Sequence, residues 1–403
     1  MRSTVQSPGT RAASIALALA ILVMPTLVDI RSAQAQTFKV LYAFSGGSDG
    51  GWSYGDLVPD AKGNLYGTTG YGGSAACPEG CGVVFKVDKT GKETVLYSFT
   101  GPPGDGANPL GGLGYAAGGN LYGTTAFGGT GGCQNGGNPS GCGTVFKVDK
   151  TGKETVLYNF TGTDGRVPLT GTVQDAQGLY GITYAGGASN LGTVFKLDKS
   201  GKETVLHSFT GTGGDGAYPY AGLLQKGNLL YGTTEYGGSH GFGTVFMMDK
   251  TGKETVLYSF TGGTDGEYPE AGLVPPVDNL AGTTAGGGAY SFGTIFQLSK
   301  TGKYTVLHSF TGTGGDGSNP TGGLVRDPKG NLYGTTLNGG VYGSGTAFEL
   351  DSAGRYTILR SFDPSTDGQN PYAVMIRDAK GNLYGTAIRL GPSGSGVVFK
   401  LTP

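Results

Sequence analysis

The fold is decided by Gly323-Leu-Val-Arg-Asp-Pro-Lys-Gly-Asn-Leu-Tyr-Gly-Thr-Thr336, followed by Gly345-Thr-Ala-Phe-Glu-Leu350 and Tyr356-Thr-Ile-Leu-Arg-Ser-Phe362. Apolar and aromatic residues take alternate or near-alternate positions in four short segments, and Gly- and Pro-containing turns separate them. This pattern is typical of β-strands joined by tight turns. The sequence therefore predicts four antiparallel strands, over 323–327, 331–336, 345–350 and 356–362.

Three phrases from this stretch recur through the chain. Leu-Tyr-Gly-Thr or a variant begins at Leu65, Leu121, Leu179, Leu230, Leu280, Leu332 and Leu383. Gly-Thr-Val-Phe or a variant begins at Gly82, Gly143, Gly192, Gly243, Gly293, Gly345 and Gly396. Val-Leu-Tyr-Ser-Phe or a variant begins at Val40, Val95, Val156, Val205, Val256, Val306 and Ile358. The repeat of about 51 residues is in the range of a propeller blade.

The third phrase occurs once before the first unit and is missing from the last one, so the units are offset by one strand. We therefore predict an all-β, seven-bladed propeller with four antiparallel strands per blade. The N-terminal strand 38–44 should complete blade 7 by pairing with 397–401. An open solenoid is the alternative, and closure is favoured because it leaves no exposed edge strand.

The N-terminal 35 residues differ from the rest of the 403-residue chain. Arg2 and Arg11 precede an apolar run from Ala12 to Val28, which is followed by a small-x-small pattern ending at Ala35. We interpret 1–35 as a signal peptide and 36–403 as one propeller domain, with an uncleaved anchor as the alternative. No later segment is suited to span a membrane as a helix. Export to the periplasm or outside the cell is expected, and the net charge of −1 argues against nucleic acid as a partner.

Four cysteines lie in the predicted mature region, and export permits disulfides. Three pairings are possible, of which Cys77–Cys81 and Cys133–Cys142 are the most economical, since each pair lies within one hairpin loop. A zinc site is disfavoured because no histidine lies nearby in the sequence and the spacing does not match a Cys-x-x-Cys knuckle.

Across residues 38–401 the repeated phrases resemble the GloVer-type tandem repeat of exported bacterial proteins. A looser resemblance, to NHL-type and gluconolactonase-type propellers, rests on the stretch 323–333. These resemblances imply export and the order of strands in a blade, and they imply no chemistry.

In a four-stranded blade, the loop between the second and third strands shares one face with the loop joining consecutive blades; we call it the loop face. Residues there vary between units, and a binding surface can exploit variation on a fixed frame. Tyr and Trp rings with Asn amides suit sugars, which offer apolar CH faces and hydroxyl edges. The candidate ligand-binding residues are Trp52, Tyr54, Asn108, Tyr218, Tyr220, Tyr268, Asn319, Asn370 and Tyr372.

Every blade-to-blade loop also carries Asp-Gly. The aspartate can cap its own turn while the glycine supplies positive φ. The alternative is calcium, the one cofactor considered, because carboxylates and loop carbonyls suit a hard cation. The candidate calcium ligands are Asp49, Asp105, Asp164, Asp215, Asp265, Asp316 and Asp367.

Signs of catalysis are weak. His207 and His308 replace the tyrosine of the Val-Leu-Tyr-Ser-Phe strand, His240 lies in a Gly-rich loop, and no Gly-x-Ser-x-Gly elbow occurs. A lactonase-like metal centre would need several acids or amides on the inner strands, which mostly offer Gly, Leu and Val. Acid–base work on a polysaccharide would need two carboxyl groups. The weak catalytic candidates, which depart from the repeat pattern, are Asp56, Glu235 and Glu270.

These features predict a binding or scaffold module for carbohydrate or another extracellular polymer. A protein–protein interaction scaffold is one alternative, and a polysaccharide-cleaving or lactonase-like enzyme is another.

Overall fold

The computed structural model describes Met1 and residues 37–116, 118–134, 140–276 and 278–403. The predicted signal peptide therefore lies outside the described residues, apart from Met1. All regular elements of this described part are β-strands. None of it forms a helix long and apolar enough to cross a membrane.

Seven antiparallel sheets form the blades of a propeller, as predicted. The first strands are Val58–Pro59, Gly114–Ala116, Val173–Asp175, Leu224–Lys226, Val325–Arg326 and Ile376–Arg377. The second strands are Leu65–Thr69, Asn120–Thr125, Gly178–Thr183, Leu229–Thr234, Asn279–Thr284, Leu332–Thr336 and Leu383–Ala387. The third strands are Val83–Val87, Thr144–Val148, Thr193–Asp198, Thr244–Asp249, Thr294–Ser299, Thr346–Leu350 and Val397–Thr402. The fourth strands are Glu93–Ser98, Glu154–Asn159, Glu203–Ser208, Glu254–Ser259, Tyr304–Ser309, Tyr356–Ser361 and Thr37–Ala43.

Three short ladders on the loop face join each blade-to-blade loop to the loop after the second strand. They pair Gly106–Ala107 with Phe127–Gly128, Gly216–Ala217 with Tyr236–Gly237, and Gly317–Ser318 with Asn338–Gly339. Single bridges take the same place elsewhere and pair Gly51 with Tyr71, Arg166 with Ala185, Glu267 with Gly286, and Gln369 with Arg389. Both loops of this face are thus held to each other at every blade.

The ring closes through the N-terminal strand, which confirms the predicted offset. Thr37–Ala43 runs antiparallel to Val397–Thr402, with Val40 opposite Phe399. A side-chain bond also crosses the closure, since Thr386 Oγ1 donates to the Ser53 carbonyl at 3.1 Å. Blade 7 is therefore built from both ends of the propeller, and its fourth strand is paired with the third like those of the other blades.

Two phenylalanines per repeat explain how the blades pack on each other. The phenylalanine that follows each fourth strand is fully buried and meets the third-strand phenylalanine of the next blade edge-on. Their ring centroids lie 5.0 to 5.5 Å apart. The pairs are Phe44–Phe85, Phe99–Phe146, Phe160–Phe195, Phe209–Phe246, Phe260–Phe296, Phe310–Phe348 and Phe362–Phe399.

The glycine of Leu-Tyr-Gly-Thr is required by the same phenylalanine. Gly232, for example, lies directly opposite Phe246 in the ladder. A Cβ at Gly232 would fall 2.6 Å from Phe246 Cζ and 3.2 Å from Leu223 Cδ2. Equivalent glycines in the other second strands face their own phenylalanine at 2.6 to 2.7 Å. The phenylalanine ring thus packs over the glycine, and this contact also fixes the register between the second and third strands.

Three details depart from the predicted strands. In blade 6 the first strand covers only Val325–Arg326, because the segments before the first strands converge on the axis instead of extending the ladder. In blade 5 it is reduced to one bridge between Val274 and Ala281, since the two prolines that follow offer no N–H. Each fourth strand also contains a β-bulge, as at Leu96 opposite Val84 and Phe85 of the third strand, and this explains the near-alternate pattern.

Candidate functional site

Seven equivalent positions on the loop face have left-handed backbone, with φ from 54° to 58°. Their backbone is fixed by two bonds: the Tyr218 N–H donates to the Leu191 carbonyl at 2.8 Å, and the Tyr218 carbonyl accepts from Glu235 N–H at 3.0 Å. The frame therefore holds a conformation that non-glycine residues rarely adopt, and it displays a different side chain at each blade. The residues are Trp52, Asn108, Val167, Tyr218, Tyr268, Asn319 and Asn370.

The three asparagines of this set brace the ring. The side-chain amides of Asn108, Asn319 and Asn370 donate to backbone carbonyls of the preceding blade at 2.7, 2.9 and 2.8 Å. Asn108 is also buried, with 4 % of its surface exposed. Their NH2 groups are thus engaged by the protein, and their predicted role in ligand binding stays a prediction.

Four tyrosines from blades 3 to 5 form a continuous row, the tyrosine arc: Tyr184, Tyr218, Tyr236 and Tyr268. Successive ring centroids lie 5.1, 5.9 and 5.1 Å apart. Tyr236 is 38 % exposed and the other three are half-buried. The structure thus brings the predicted Tyr218 and Tyr268 together through Tyr236, and Tyr184 extends the row beyond Tyr218.

Trp52 belongs to a separate cluster at blade 1. Its ring meets Tyr71 edge-on at 4.8 Å, and the Arg389 guanidinium lies 5.0 Å from its centroid. Arg389 was not among the predicted residues, although it replaces the aromatic residue that other units carry at this position, such as Tyr71 and Tyr236.

The central channel opens beside the tyrosine arc. Its cavity has a volume of about 240 Å³. Tyr220 of blade 4 and Tyr372 of blade 7 are hydrogen-bonded through their hydroxyl groups, and Tyr54 meets Tyr372 edge-on at 5.7 Å. These three predicted residues therefore share one site, at which the Tyr220–Tyr372 bond spans the channel. The residues that line its mouth, one per blade, are Tyr54, Leu110, Leu169, Tyr220, Glu270, Thr321 and Tyr372.

Two of the candidate carboxyl groups link the arc to this mouth, since Glu235 contacts the arc and Glu270 lines the mouth. Glu235 Oε2 accepts from the Tyr184 hydroxyl at 3.1 Å. Burial, followed by the charge of Glu235, raises the pKa of Glu270 to about 7. Burial also raises the pKa of Glu235. The structure thus brings Glu235 and Glu270 into one electrostatic environment, where each disfavours ionisation of the other.

Asp56 lies apart from this pair, on the first strand side of blade 1. Its Oδ1 accepts from the Val374 N–H at 2.8 Å, across the blade 7 junction. The Asp56 side chain contacts solvent in the channel, but protein atoms surround its carboxyl group. This burial raises the pKa of Asp56 to about 6. Glu235 and Glu270 are therefore the only two of the three acids that the described structure brings together.

The aspartates of the Asp-Gly loops hold the loops to the fourth strands. Asp105 accepts from the Tyr97 hydroxyl at 2.9 Å, and from the backbone N–H and hydroxyl of Thr100 at 2.7 and 2.9 Å. The other six have an equivalent fourth-strand partner, which is Tyr42, Tyr158, His207, Tyr258, His308 or Arg360. These contacts fit the turn-capping interpretation, and calcium at the seven aspartates stays a prediction.

Both economical disulfides are formed, Cys77–Cys81 and Cys133–Cys142. Cys81 and Cys142 are fully buried against the apolar side chains of their blades. The disulfides thus fix two of the Gly-rich loops on the loop face.

The chain is similar to a known family in sequence and to solved structures in fold. A family model, the Gloeobacter/Verrucomicrobia repeat, matches residues 131–284 and 276–403. No curated protein matches the sequence.

Solved structures show the same fold at low identity. The extracellular domain of a hybrid two component system from B. thetaiotaomicron is 14% identical with a TM-score of 0.58, over 91% of this chain and 41% of that one. The chain thus spans less than half the length of that domain. The periplasmic gluconolactonase of Pseudomonas aeruginosa is 14% identical with a TM-score of 0.50, over 80% and 95% of the two chains. The family model covers most of the sequence, and the chain belongs to the Gloeobacter/Verrucomicrobia repeat family.

Proposed function

We propose that this propeller is an exported binding module that recognises carbohydrate through the tyrosine arc. The observation that carries the proposal is the row of four tyrosine rings on a rigid frame beside two carboxyl groups. A sugar presents CH faces that pack on aromatic rings and hydroxyl groups that donate to carboxylate oxygens. The arc offers both chemistries in one place.

The length of the arc favours a polymer over a monosaccharide. Its three centroid separations of 5.1, 5.9 and 5.1 Å sum to roughly 16 Å along the row, an upper limit for a path that bends. Several sugar units can therefore contact successive rings. Since the backbone at Tyr218 and Tyr268 is already fixed, little conformational entropy is lost when a ligand binds there.

The proposal also includes export of the protein from the cytoplasm. The two disulfides require an oxidising compartment, and the predicted signal peptide would direct the chain there. We place the mature protein in the periplasm or outside the cell, where polysaccharides are available as ligands.

A panel of soluble polysaccharides and oligosaccharides, screened by the melting temperature of residues 36–403, tests the proposal. A ligand that binds only the folded protein raises this temperature, and the rise grows with the logarithm of ligand concentration above Kd. One sugar class should give a concentration-dependent rise in the wild type and a smaller one in Tyr236→Ala. Tyr342→Ala, which removes another exposed tyrosine from blade 6, is the matched control and should respond like the wild type.

The two alternatives give different results in the same experiment. A protein-interaction scaffold would show no response to any sugar, and its partner would be lost on changes to the loop face. An enzyme would release product from a responding polysaccharide or lactone, and Glu270→Gln would abolish turnover without changing the melting temperature. Product release that survives Glu270→Gln and Glu235→Gln would exclude these carboxyl groups from catalysis.

A further inference from the structure

Each junction between blades contains the same three positions, which we call the junction trio. The first is the fourth-strand residue at the tyrosine of Val-Leu-Tyr-Ser-Phe, the second is the loop aspartate, and the third lies on the fourth strand of the next blade. The seven trios are Tyr42–Asp49–Glu93, Tyr97–Asp105–Glu154, Tyr158–Asp164–Glu203, His207–Asp215–Glu254, Tyr258–Asp265–Tyr304, His308–Asp316–Tyr356 and Arg360–Asp367–Phe38.

One trio differs from the others by combining a histidine with two carboxyl groups. His207 Nε2 lies 3.3 Å from Asp215 Oδ1 and 3.9 Å from Glu254 Oε2. One ligand atom of each residue lies within 4.8 Å of those of the other two. The three side chains are between 11% and 21% exposed, so all three are substantially shielded from solvent.

We propose that His207, Asp215 and Glu254 bind a zinc ion at the junction of blades 3 and 4. Tetrahedral zinc places its nitrogen and oxygen ligands about 2.0 to 2.2 Å from the metal, so that they lie roughly 3.3 Å from one another. The His207–Asp215 separation already matches this value, and Glu254 needs to approach by about half an ångström. Two carboxylates and a neutral imidazole also match the charge and ligand type of a zinc site.

The hydrogen bonds around these residues also leave ligand atoms available for a metal ion. The backbone N–H and hydroxyl of Thr210 hold Asp215 Oδ2, which leaves Oδ1 directed at His207. Glu254 Oε1 is buried and has no hydrogen-bond partner in the described structure, like the equivalent oxygens of Glu93, Glu154 and Glu203, but of these four trios only that of Glu254 also contains a histidine. An open pocket beside Asp215 and Glu254, lined also by Ser239, gives a route for the metal and for a water molecule as fourth ligand.

The other junctions supply substitutions that the fold already accommodates. His207→Tyr converts the trio into the Tyr–Asp–Glu found at three junctions, and Glu254→Tyr converts it into the His–Asp–Tyr of blades 5 and 6. Calorimetric titration of the metal-free folded chain 36–403 with zinc chloride should give one bound zinc per wild-type chain. Both variants should lose that ion, with binding weakened at least tenfold.

Two control variants separate this site from other histidines. His308→Tyr removes a histidine from a trio with only two ligands, and His240→Ala removes the exposed histidine near the pocket. Both should retain one zinc ion. Absence of zinc binding in the wild type, or its retention in folded His207→Tyr, would overturn the proposal.

Tyr356→Glu tests whether the trio is sufficient. It places a third ligand beside His308 and Asp316, which are 3.6 Å apart. Folded Tyr356→Glu should bind two zinc ions per chain. A folded variant that still binds one would show that the three residue types do not make the site, and would overturn the assignment of the trio as the ligand set.

Discussion

Replacement of Phe44 by alanine tests whether the ring is closed by its N-terminal strand. Phe44 is fully buried, and it meets Phe85 of blade 1 edge-on with the centroids 5.0 Å apart. Truncation of a buried phenylalanine to alanine costs about 3–5 kcal/mol, because it loses apolar burial and leaves a cavity. We therefore expect Phe44→Ala to lower the free energy of unfolding by that amount.

Phe209→Ala is the matched control, since Phe209 has the same burial and the equivalent contact with Phe246 between blades 3 and 4. Both variants should cost the same to within about 1 kcal/mol if every junction is equivalent. The assay is guanidinium unfolding, followed by far-UV circular dichroism and by the fluorescence of Trp52, the chain's single tryptophan. The backbone N–H of Trp52 donates to the Ser395 carbonyl of blade 7 at 2.9 Å, so the indole is held at the closure and its fluorescence reports on it.

The two probes should give coincident transitions, as a cooperative ring requires. The reasoning would be refuted by a cost below about 1 kcal/mol for Phe44→Ala beside a full cost for Phe209→Ala. A Trp52 transition that precedes the loss of circular dichroism would refute it as well. Either result would mean that the N-terminal strand frays independently of the other blades.

Three further predictions address the repeat itself. Gly232→Ala should cost about 1–3 kcal/mol, because its Cβ would fall 2.6 Å from Phe246 Cζ in a packed core, as measured by chemical unfolding. Val167→Asn should stabilise the protein by about 1 kcal/mol, because asparagine tolerates the left-handed backbone that Val167 adopts with φ of 55°. Thermal unfolding measures this gain as a higher melting temperature. Burial, followed by the charge of Asp105, raises the pKa of Glu154 to about 7. Wild-type stability should therefore fall between about pH 4.5 and 7, because the unfolded chain releases a proton that the folded chain retains. Urea titrations at several pH values should show a flatter fall for Glu154→Gln.

Each of these predictions has its own control or contradiction. Gly222→Ala adds a methyl group where the nearest atom is 3.8 Å away, and it should be nearly neutral. A neutral Gly232→Ala would contradict the role of the phenylalanine. A destabilised Val167→Asn would show that packing of the valine outweighs the backbone preference. Parallel pH curves for the wild type and Glu154→Gln would show that this carboxyl group does not retain its proton on folding.

The architecture could be predicted from the sequence because every blade repeats the same local rules. The strand phrases, the turn glycines and the offset of one strand were sufficient to predict the number of blades and the closing strand. The first strands were overestimated, since the convergence of seven segments on an axis leaves no mark on the local pattern. The bulge opposite Phe85 was likewise invisible, although the near-alternate apolar positions reflect it.

The candidate site was only partly predictable. Tyr218 and Tyr268 were identified because they vary at one fixed position, but Tyr184 and Tyr236 come from a different loop, and the arc exists only when the two loops are paired. His207 was interpreted as a substitute for tyrosine in a fourth strand. That interpretation is correct for the strand, but it did not predict that the loop and the next blade bring Asp215 and Glu254 to His207.

A crystal structure of the protein with the sugar that gives the largest rise in melting temperature tests the central claim most directly. Our account predicts sugar rings packed on Tyr236 and Tyr268, with a hydroxyl group bonded to Glu235 or Glu270. Tyr268→Asn, which keeps the left-handed backbone as Asn319 and Asn370 do, should then lose the bound sugar. A sugar bound elsewhere, with the tyrosine arc bare, would contradict the account.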